Sequence, residues 1–384
     1  MSTRSSTEPI FNDKYWMYEA EELARQGTAL AHPNPRVGAV LVKDGVEVGR
    51  GFHRFDSVDH AEIVALKQAG EAARGASLYV NLEPCSHTGR TGPCTEAIIA
   101  AGVKKVFAPL QDPNPAVAGR GFAALKRAGV EVQVSEHDNE YARETNEDFA
   151  KWIQTSLPFV TLKTALTLDG RIAMRPGHST SISSAPSRDY VQRLRHEADA
   201  LLTGIGTILV DDPRLTDRTG LPRRKRLLRA VVDSHLRLPA KSRLVKSAQD
   251  DILVFTTVSP DSRKARALAR AGVDILRVPS DGGRADLSAV VRELGRREML
   301  NVLLEAGAEL NGAALEAGIV DKMILFYAPR IMGAGGVPMA RFPSRRAPKS
   351  PALKNLTLNR FGADFVVQGY FHDVYGHYRR HRKS

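Results

Sequence analysis

Short apolar runs alternate with segments of helical periodicity along most of this chain, and that alternation constrains the fold more than any other feature. In the first part, the paired runs "VGAVLV" and "VEVGRGFH" are followed by "HAEIVALKQAG", "ASLYVNLEP", "CTEAIIAAG" and further strand and helix patterns. A helix over Asp13–Gln26 precedes them, with Asp13 as its cap and Gly27 as its stop. A longer polar helix from Asp138 to about Gln154 closes this part. Such alternation predicts an α/β fold in which helices cover both faces of a sheet.

A second alternation starts after "TSLP", residues 155–158, so the chain is predicted to have two domains. The length of 384 residues agrees with this division, because domains of roughly 150 to 200 residues are the norm. We expect a first domain over residues 1–154, a second over 159–373 and a basic tail over 374–384. The last pattern, "LTLNRFGADFVVQGYFHDV", predicts a closing pair of strands.

The formal net charge of +12 admits nucleic acid, an anionic surface or a phosphorylated metabolite as the partner. Much of the excess lies in "LPRRKRLLR" at 221–229, "RRAPK" at 345–349 and "HYRRHRKS" at 377–384. Basic runs of this length are more often solvated loops or tails than binding faces. Composition alone therefore leaves the partner open.

Cysteine usage and hydropathy predict a cytoplasmic location. The only cysteines are Cys85 and Cys94, which excludes a disulfide scaffold. The first residues contain no apolar signal core, and no run approaches the roughly 18 apolar residues of a membrane span. We therefore expect no membrane partner.

One histidine and two cysteines form the strongest functional motif. His60 and Glu62 make an H-x-E pair at the start of a helix, Cys85 lies where a strand gives way to a helix, and Cys94 follows. Zinc held by one imidazole and two thiolates keeps a fourth position open for water, which is the catalytic pattern. A carboxylate beside that water can carry its proton to a departing amine. The motif therefore predicts a zinc-dependent deaminase.

A non-functional interpretation of the same residues is that His60 caps a helix, Glu62 is a surface charge and the cysteines are small buried hydrophobes. For H-x-E alone that interpretation is the more common one. The Pro84-Cys85 pair and a second cysteine downstream favour zinc instead.

The eight residues between the cysteines, "SHTGRTGP", make a longer loop than the common P-C-x-x-C spacing. This loop has to fold back over the metal. It supplies His87 and Arg90, which suit a substrate phosphate better than a bare base. Asn34 lies in the Pro-flanked "HPNPRVG", where a side-chain amide can hold the polar edge of a ring, although a lone Asn-Pro is more often only a turn.

The segments "HPNPRVGAVLVKDG", "GFH", "HAEIVAL", "EPCSHTGRTGPC" and "DPNPAVAGRG" together resemble the deaminase half of the bifunctional riboflavin-biosynthesis deaminase/reductase family. The resemblance implies a cytidine-deaminase-like three-layer α/β/α fold. It implies hydrolytic deamination of 2,5-diamino-6-(5-phosphoribosylamino)pyrimidin-4(3H)-one to 5-amino-6-(5-phosphoribosylamino)uracil. The implied roles are zinc ligands (His60, Cys85, Cys94), proton shuttle (Glu62) and substrate contacts (Asn34, His53, His87, Arg90).

The second alternation carries two candidate ligand-binding turns. "LTGIGTILVDDPRLTDR", residues 202–218, has a glycine-containing turn after a strand that can hold a phosphate, or that serves only as a strand-to-helix junction. Glu305 lies at a strand end and Gly307 before a helix, a typical ligand-side location. No G-x-G-x-x-G follows the opening strand, which argues against a Rossmann dinucleotide fold.

The order "TLKTALTLDGRIA", "LTGIGTILVDDPRLTDR", "VVDS", "LLEAG" and "APRIMGAGG" resembles the reductase half of the same family, whose fold is like dihydrofolate reductase. The resemblance implies NADPH-dependent reduction of the ribosyl group to ribityl, with the protein positioning nicotinamide and sugar. Implied NADPH contacts are Ala165, Ser179, Thr207, Asp211, Ser234 and Gly307. Implied substrate contacts are Arg195, Leu215, Arg218 and Glu305.

Two positions depart from the family pattern in this second half. The family usually has a tryptophan two residues after the serine of "GHS", where this chain has Ser181. Ala306 stands where a second glycine is common. Loss of an aromatic platform predicts packing against cofactor or substrate weaker by about 1 kcal/mol or more.

Two rival functions remain at this stage. A nucleic-acid deaminase would use the basic runs, but the long cysteine spacing, the aromatic content of 6% and the lack of an RNA-binding motif argue against it. A scaffold protein with a structural zinc would have no need for Glu62. We expect a phosphoribosyl-pyrimidine substrate and no specific nucleic acid, and the resemblance implies a homo-oligomer.

Overall fold

The computed structural model describes residues 12–89, 92–134, 139–344 and 352–375. The chain divides into two compact units, Met1–Gln154 and Thr155–Ser384. The "RRAPK" run and nearly all of the predicted basic tail lie outside the described residues. Within the described part of the chain, no helix has both the length and the apolar character needed to cross a bilayer.

The first unit is built on a five-stranded sheet in the order β2-β1-β3-β4-β5. β1 pairs antiparallel with both β2 and β3, whereas β3, β4 and β5 run parallel. The strands are β1 (Gly38–Lys43), β2 (Val46–Phe52), β3 (Ser77–Val80), β4 (Lys105–Phe107) and β5 (Glu131–Gln133). The helices are α1 (Asp13–Gln26), α2 (Ala61–Ala69), α3 (Cys94–Ala100), α4 (Arg120–Arg127), α5 (Asn139–Thr145) and α6 (Glu147–Thr155), with a short 3-10 helix at Gly70–Ala73.

Helices cover both faces of this sheet. On one face, Trp16, Met17 and Leu23 of α1 pack against strand residues that include Val40 and Phe107. The other face carries α2, α3 and α4, which share a second apolar cluster with β1, β3 and β4. Successive apolar side chains of β1 and β3 point alternately into one cluster and the other. Both faces of these strands are therefore buried, as in a sheet that helices cover on both sides. The expected three-layer α/β/α arrangement is confirmed.

Two predictions about the helices of this unit are wrong. The cap of α1 is Asn12, whose side chain accepts a hydrogen bond from Tyr15 N, and Asp13 is the first helical residue. The single helix predicted to end near Gln154 is two helices that meet at Asn146. The fully buried Asn146 amide pairs with the backbone of Arg36 through both its oxygen (2.8 Å) and its nitrogen (3.0 Å). A side chain committed to a distant loop in this way accounts for the break.

The second unit contains a nine-stranded sheet in the order β11-β10-β9-β8-β14-β6-β15-β18-β17. The seven strands from β11 to β15 in that order are parallel, and β18 and β17 add an antiparallel pair. These strands are β6 (Phe159–Thr167), β8 (Ala200–Gly204), β9 (Leu228–Val232), β10 (Ile252–Thr256), β11 (Val273–Arg277), β14 (Asn301–Leu304), β15 (Lys322–Ala328), β17 (Lys354–Phe361) and β18 (Asp364–Tyr370). Shorter strands are β7 (Arg171–Ala173), β12 (Ser280–Asp281), β13 (Arg284–Ala285) and β16 (Val337–Pro338).

Helices also lie on both faces of this larger sheet. They are α7 (Ala185–Glu197), α8 (Ile205–Asp211), α9 (Arg243–Lys246), α10 (Arg263–Ala269), α11 (Leu287–Arg296) and α12 (Ala308–Glu316). One apolar cluster joins α7, α8 and α10 to the sheet, and another joins α11 and α12 to its opposite face. The expected α/β fold of this half, with its closing pair of strands, is confirmed. Because β9, β8, β14 and β6 are parallel neighbours, their carboxyl ends lie along one edge.

A buried carboxyl group in the first unit makes its stability depend on pH. Glu21 of α1 is 3% exposed and accepts a hydrogen bond from the Thr145 hydroxyl at 3.2 Å. Burial raises the pKa of Glu21 to about 8. A carboxyl whose pKa is higher in the folded than in the unfolded protein stabilises the fold fully below the unfolded pKa. That stabilisation is lost as the pH rises through the folded pKa.

Between pH 5 and pH 9, the free energy of unfolding of the wild-type protein should fall by on the order of a few kcal/mol. We predict that Glu21→Gln abolishes this fall, because glutamine does not ionise. Denaturant unfolding followed by tryptophan fluorescence measures it, since Trp16 and Trp152 both lie in the first unit. The matched control is Glu22→Gln, because Glu22 is half-exposed and pairs with Arg25. Equal pH slopes for Glu21→Gln and wild type would contradict the prediction.

Candidate functional sites

The first turn of α2 brings two predicted site residues together. His60 is the N-cap residue of this helix, and Glu62 lies in its first turn with 3% of its surface exposed. The helix start lies directly on β2 because Gly51 has no side chain. A Cβ atom there would be 2.6 Å from the Ala61 carbonyl oxygen. This close approach fixes where the imidazole and the carboxyl group are held.

The two cysteines reach the same place from a loop and a helix start. Cys85 follows β3, and Cys94 is the first residue of α3, where its backbone N–H donates to Cys85 Sγ at 3.3 Å. His60 Nδ1 lies 3.3 Å from Cys94 Sγ and 3.6 Å from Cys85 Sγ. The three donor atoms all lie within 4.8 Å of one another.

This donor set fits one zinc ion. Tetrahedral zinc with usual Zn–N and Zn–S bond lengths places an imidazole nitrogen about 3.6 Å from a thiolate sulfur. Both nitrogen–sulfur distances in the structure are close to that value. Three protein ligands leave the fourth tetrahedral position for water or substrate, as in catalytic rather than structural zinc sites.

Burial and neighbouring groups shift the titration of this cluster. Burial, together with the Cys85 sulfur, raises the pKa of Glu62 to about 7. Hydrogen bonds from Cys94 and from His60 lower the pKa of Cys85 to about 4. A thiolate at Cys85 is the form that binds a metal.

Two of the predicted substrate residues lie beside the cluster. Asn34 Nδ2 is 3.0 Å from His53 Nε2, and the His53 ring meets the His60 ring edge-on at 5.2 Å between centroids. With the amide nitrogen as donor, Nε2 of His53 accepts, and Nδ1 donates to the carbonyl oxygen of Asp59 at 3.4 Å. Asn34 and His53 therefore form one hydrogen-bonded unit against a candidate zinc ligand.

The loop between the cysteines is only partly described. His87 is exposed within it, and Arg90 lies outside the described residues. Two acids that the sequence analysis did not assign surround this region. Asp112 is mostly buried, with His87 and Cys85 among the charges near it, and burial raises its pKa to about 6. Glu83 binds the loop that starts at Asp112, accepting hydrogen bonds from the backbone N–H groups of Asp112, Gly119 and Phe122.

The loop that carries Asn34 is anchored by a buried ion pair. Both oxygens of Asp148, in α6, accept hydrogen bonds from Arg36 Nη2 at 2.8 and 2.7 Å, and His32 Nε2 lies 3.3 Å from the same carboxylate. Burial opposes ionisation, yet Arg36 and His32 hold the pKa of Asp148 well below its usual range. Asn34 thus lies between two residues, His32 and Arg36, that are bound to one buried acid.

In the second unit, three charged side chains meet at the carboxyl end of β14. Arg195 of α7 binds Glu305 through Nε at 2.8 Å and Nη2 at 3.0 Å. Lys163 Nζ of β6 lies 3.6 Å from Glu305 Oε2. Burial opposes ionisation of Glu305, but Lys163 and Arg195 lower its pKa to about 2. Arg195 and Glu305 were predicted, whereas Lys163 was not, although a single lysine in an otherwise uncharged strand was a usable signal.

Four of the six predicted NADPH residues lie in or shortly after the parallel strands β6, β8, β9 and β14. Ala165 is in β6, and Gly307 precedes α12, which has no side-chain cap at its start. Thr207 is in the first turn of α8, shortly after β8, Asp211 is the last residue of that helix, and Ser234 follows β9. Ser179 is exposed in the segment between β7 and α7, outside any helix or strand.

The edge at the carboxyl ends of these strands fits a dinucleotide phosphate. A Cβ atom at Gly206 or at Gly307 would meet no other atom within 4 Å, so both turns border open space. The uncapped first turn of α12 turns backbone amides toward that space, and such amides bind phosphate oxygens.

The remaining predicted substrate residues lie on the loop between α8 and β9. Leu215 is buried and has a φ of 57°, in the left-handed region that branched residues seldom occupy. Arg218 is exposed, and its backbone N–H donates to Gln192 Oε1 at 3.1 Å.

Comparison with known proteins gives matches over both units. Residues 11–109 match the model of the cytidine and deoxycytidylate deaminase zinc-binding region, and residues 158–367 match that of the RibD C-terminal domain. The riboflavin biosynthesis protein RibD of Escherichia coli is 40% identical over 367 residues, which cover 92% of this chain and 98% of the relative.

Two solved structures are similar over nearly the whole chain. RibD of Acinetobacter baumannii has a TM-score of 0.81 at 36% identity, covering 93% of this chain and 98% of the other. A diaminohydroxyphosphoribosylaminopyrimidine deaminase/5-amino-6-(5-phosphoribosylamino)uracil reductase of Thermotoga maritima has a TM-score of 0.79 at 33% identity, covering 92% and 97%.

Loss of a residue that only hydrogen-bonds a metal ligand lowers metal affinity by roughly 10- to 100-fold. We predict that Cys85→Ala, which removes a ligand itself, lowers the affinity for zinc by more than that. Zinc content after dialysis against a competing chelator, measured by mass spectrometry, checks this without any assay of turnover. Asn34→Ala is the matched control, because its amide contacts His53 and no candidate ligand atom. Full zinc retention by Cys85→Ala would rule out this site.

Proposed function

This chain belongs to the RibD family of riboflavin-biosynthesis proteins. We propose that the residues of its first unit carry out a deamination and that those of its second unit carry out a reduction. The chain is a bifunctional enzyme: a zinc-dependent deaminase followed by an NADPH-dependent reductase. We assign the deaminase to residues 1–154 and the reductase to 159–373. The observation that carries the deaminase assignment is the His60, Cys85 and Cys94 cluster with a buried Glu62 beside it.

The proposed substrate of the first unit is 2,5-diamino-6-(5-phosphoribosylamino)pyrimidin-4(3H)-one. Zinc, when bound, supplies an activated water at neutral pH. Glu62 would take a proton from that water on a carboxylate oxygen and return it to the amino group that leaves as ammonia. A carboxyl whose pKa is raised by burial suits a group that must both accept and donate.

Asn34 and His53 would hold the pyrimidine. Their mutual hydrogen bond and the edge contact of His53 with His60 keep them next to the reacting position. His87, and by the resemblance Arg90, would bind the ribose phosphate. The ion pair of Arg36 with Asp148 supports this arrangement by fixing the backbone on the carboxyl side of Asn34.

In the second unit, NADPH supplies the hydrogen and electron pair that reduce the ribosyl group. Opening the sugar ring also requires a proton at the ring oxygen. Lys163 is the proposed proton donor, because its side chain is mostly shielded from solvent and its Nζ lies 3.6 Å from the Glu305 carboxylate. Arg195 fixes that carboxylate from the other side, and its bidentate geometry leaves Glu305 little freedom.

The contacts proposed for NADPH are Ala165, Ser179, Thr207, Asp211, Ser234 and Gly307, and those for the substrate also include Leu215 and Arg218. Because Ser181 stands where the family usually has a tryptophan, the alternative for the second unit is a domain without reductase activity. The complete charged set of Lys163, Arg195 and Glu305 supports an active reductase instead.

A homo-oligomer in the cytoplasm is proposed as the working state. The edge strand β17 supports self-association, since Leu356 is 63% and Leu358 is 68% exposed. Zinc-binding thiolates support a reducing compartment. Light scattering coupled to gel filtration tests the first point, and a mass equal to one chain at micromolar concentration would refute it.

We predict that Glu62→Gln lowers ammonia release from the diaminopyrimidine ribotide by roughly 10²- to 10⁴-fold, since the proton carrier is lost. Zinc content should stay at the wild-type value. NADPH oxidation with the aminouracil ribotide should also be unchanged, and it serves as the internal control. Wild-type ammonia release by a zinc-loaded variant would exclude Glu62 from the reaction.

We predict that Lys163→Met lowers NADPH oxidation by roughly 10²-fold or more, while ammonia release stays at the wild-type rate. The matched control is Lys322→Met, because Lys322 lies at the amino end of the neighbouring strand β15, opposite Thr161. If both variants oxidise NADPH equally well, Lys163 is not the donor.

A further inference from the structure

The loop between α8 and β9 is bound to α7 at three successive residues. Arg218 N donates to Gln192 Oε1 at 3.1 Å, Arg195 Nη1 donates to the Thr216 carbonyl oxygen at 3.1 Å, and His196 Nδ1 lies 2.9 Å from Asp217 Oδ2. Gln192, Arg195 and His196 are spaced i, i+3 and i+4, so they lie on one face of the helix. We call residues 216–218, together with the helix residues that bind them, the clamp.

Asp217 is the centre of the clamp. Its Oδ1 accepts from both the backbone N–H and the hydroxyl of Thr219, at 2.9 and 2.8 Å. Its Oδ2 accepts from Arg223 Nη1 at 3.1 Å and faces His196. The Asp217 side chain is 9% exposed, so an acid in a surface loop is withdrawn from water by its partners.

Arg223 connects the clamp to the end of α7. Its Nη1 also reaches the carbonyl oxygens of Arg195 and His196 at 3.2 and 3.0 Å, and its Nη2 donates to the Ala198 carbonyl oxygen at 2.7 Å. These carbonyls belong to the last turn of the helix, where intrahelical donors run out. One guanidinium thus closes the helix end and holds Asp217.

This contact gives part of the "LPRRKRLLR" run a specific purpose. Arg223 is largely shielded, with 14% of its side chain exposed, whereas Arg226 is exposed. The Lys225 side chain is exposed and pairs with Glu298 at 3.8 Å. The run is therefore no uniform basic face, because its first arginine is turned into the unit.

Arg218 differs from its neighbours in the clamp. Its backbone is bound to Gln192, but its guanidinium makes no hydrogen bond or ion pair among the described residues and is exposed. The residue next to it along the chain, Asp217, is bound on both carboxylate oxygens. The clamp thus holds the backbone at Arg218 and leaves the cation available for an anion.

We propose that Asp217, held by His196 and Arg223, is a positioning residue that presents Arg218 to the phosphate of the reductase substrate. This inference rests on the proposed function in one respect, the assignment of Arg218 to that phosphate. Asp217 itself touches neither substrate nor cofactor. Its role is to fix the loop, so its loss should affect binding of the phosphate-bearing substrate and not the hydrogen transfer itself.

The test compares Asp217→Asn with wild type in NADPH oxidation by the aminouracil ribotide and by its dephosphorylated form. We expect KM for the ribotide to rise roughly ten- to hundredfold, with kcat and KM for NADPH within about twofold of wild type. The kcat/KM of the dephosphorylated form should not change. Arg226→Met is the matched control for charge, and thermal unfolding of each variant reports on folding.

A second variant, Gln192→Ala, removes the bond to Arg218 N without altering any charge, and we expect the same KM effect from it. Equal losses for both substrates, or a fall in kcat with KM unchanged, would show a structural role only and would overturn the proposal. Arg218→Ala separates the assignment of Arg218 to the phosphate from the positioning role of the clamp. If it leaves the preference for the ribotide intact, the phosphate assignment fails. If it abolishes that preference while both clamp variants behave as wild type, only the clamp fails.

Discussion

A charged group that is buried without a partner costs several kcal/mol, and both sites of this enzyme are built around that constraint. In the first unit, two thiols and an imidazole converge where a bound zinc ion would neutralise the thiolates. In the second unit, the charge of the Glu305 carboxylate is compensated by Arg195 and Lys163, which lie on either side of it. The buried carboxylate of Asp148 is likewise paired, with Arg36, in the loop that carries Asn34 next to the candidate zinc site. The Arg36–Asp148 pair fixes the loop that carries Asn34, and the Arg195–Glu305 pair fixes the residue that follows β14.

The fold determines where such pairings are useful. Helix starts and the carboxyl ends of parallel strands bring backbone amides and chain turns to one side of a sheet. His60 and Cys94 are at helix starts, and Glu305 is at a strand end. These groups therefore lie at the ends of rigid elements, while substrate contacts such as Arg218 come from loops that have to be held by further bonds.

The sequence predicted the alternating elements, both sheets and the zinc motif, because these depend on local periodicity and on a short spacing of ligands. It misplaced the cap of α1 and missed the break at Asn146, whose partner is Arg36, far away in the sequence. Lys163 was not predicted for a related reason, since only the pairing of β6 with β14 brings it close to Glu305. The sequence pattern placed Arg223 in a solvated basic run, because its partners are backbone carbonyl oxygens at the end of α7, which no sequence motif marks.

The two sites act in succession on one phosphoribosyl pyrimidine. The direct measurement is a single reaction of zinc-loaded enzyme with the diaminopyrimidine ribotide and NADPH, in which ammonia and nicotinamide absorbance are followed together. We expect ammonia release from the start, NADPH oxidation after a lag, and final amounts of ammonia and oxidised NADPH in a ratio of one to one. NADPH oxidation that precedes ammonia release, or ammonia release that is never followed by oxidation, would contradict it.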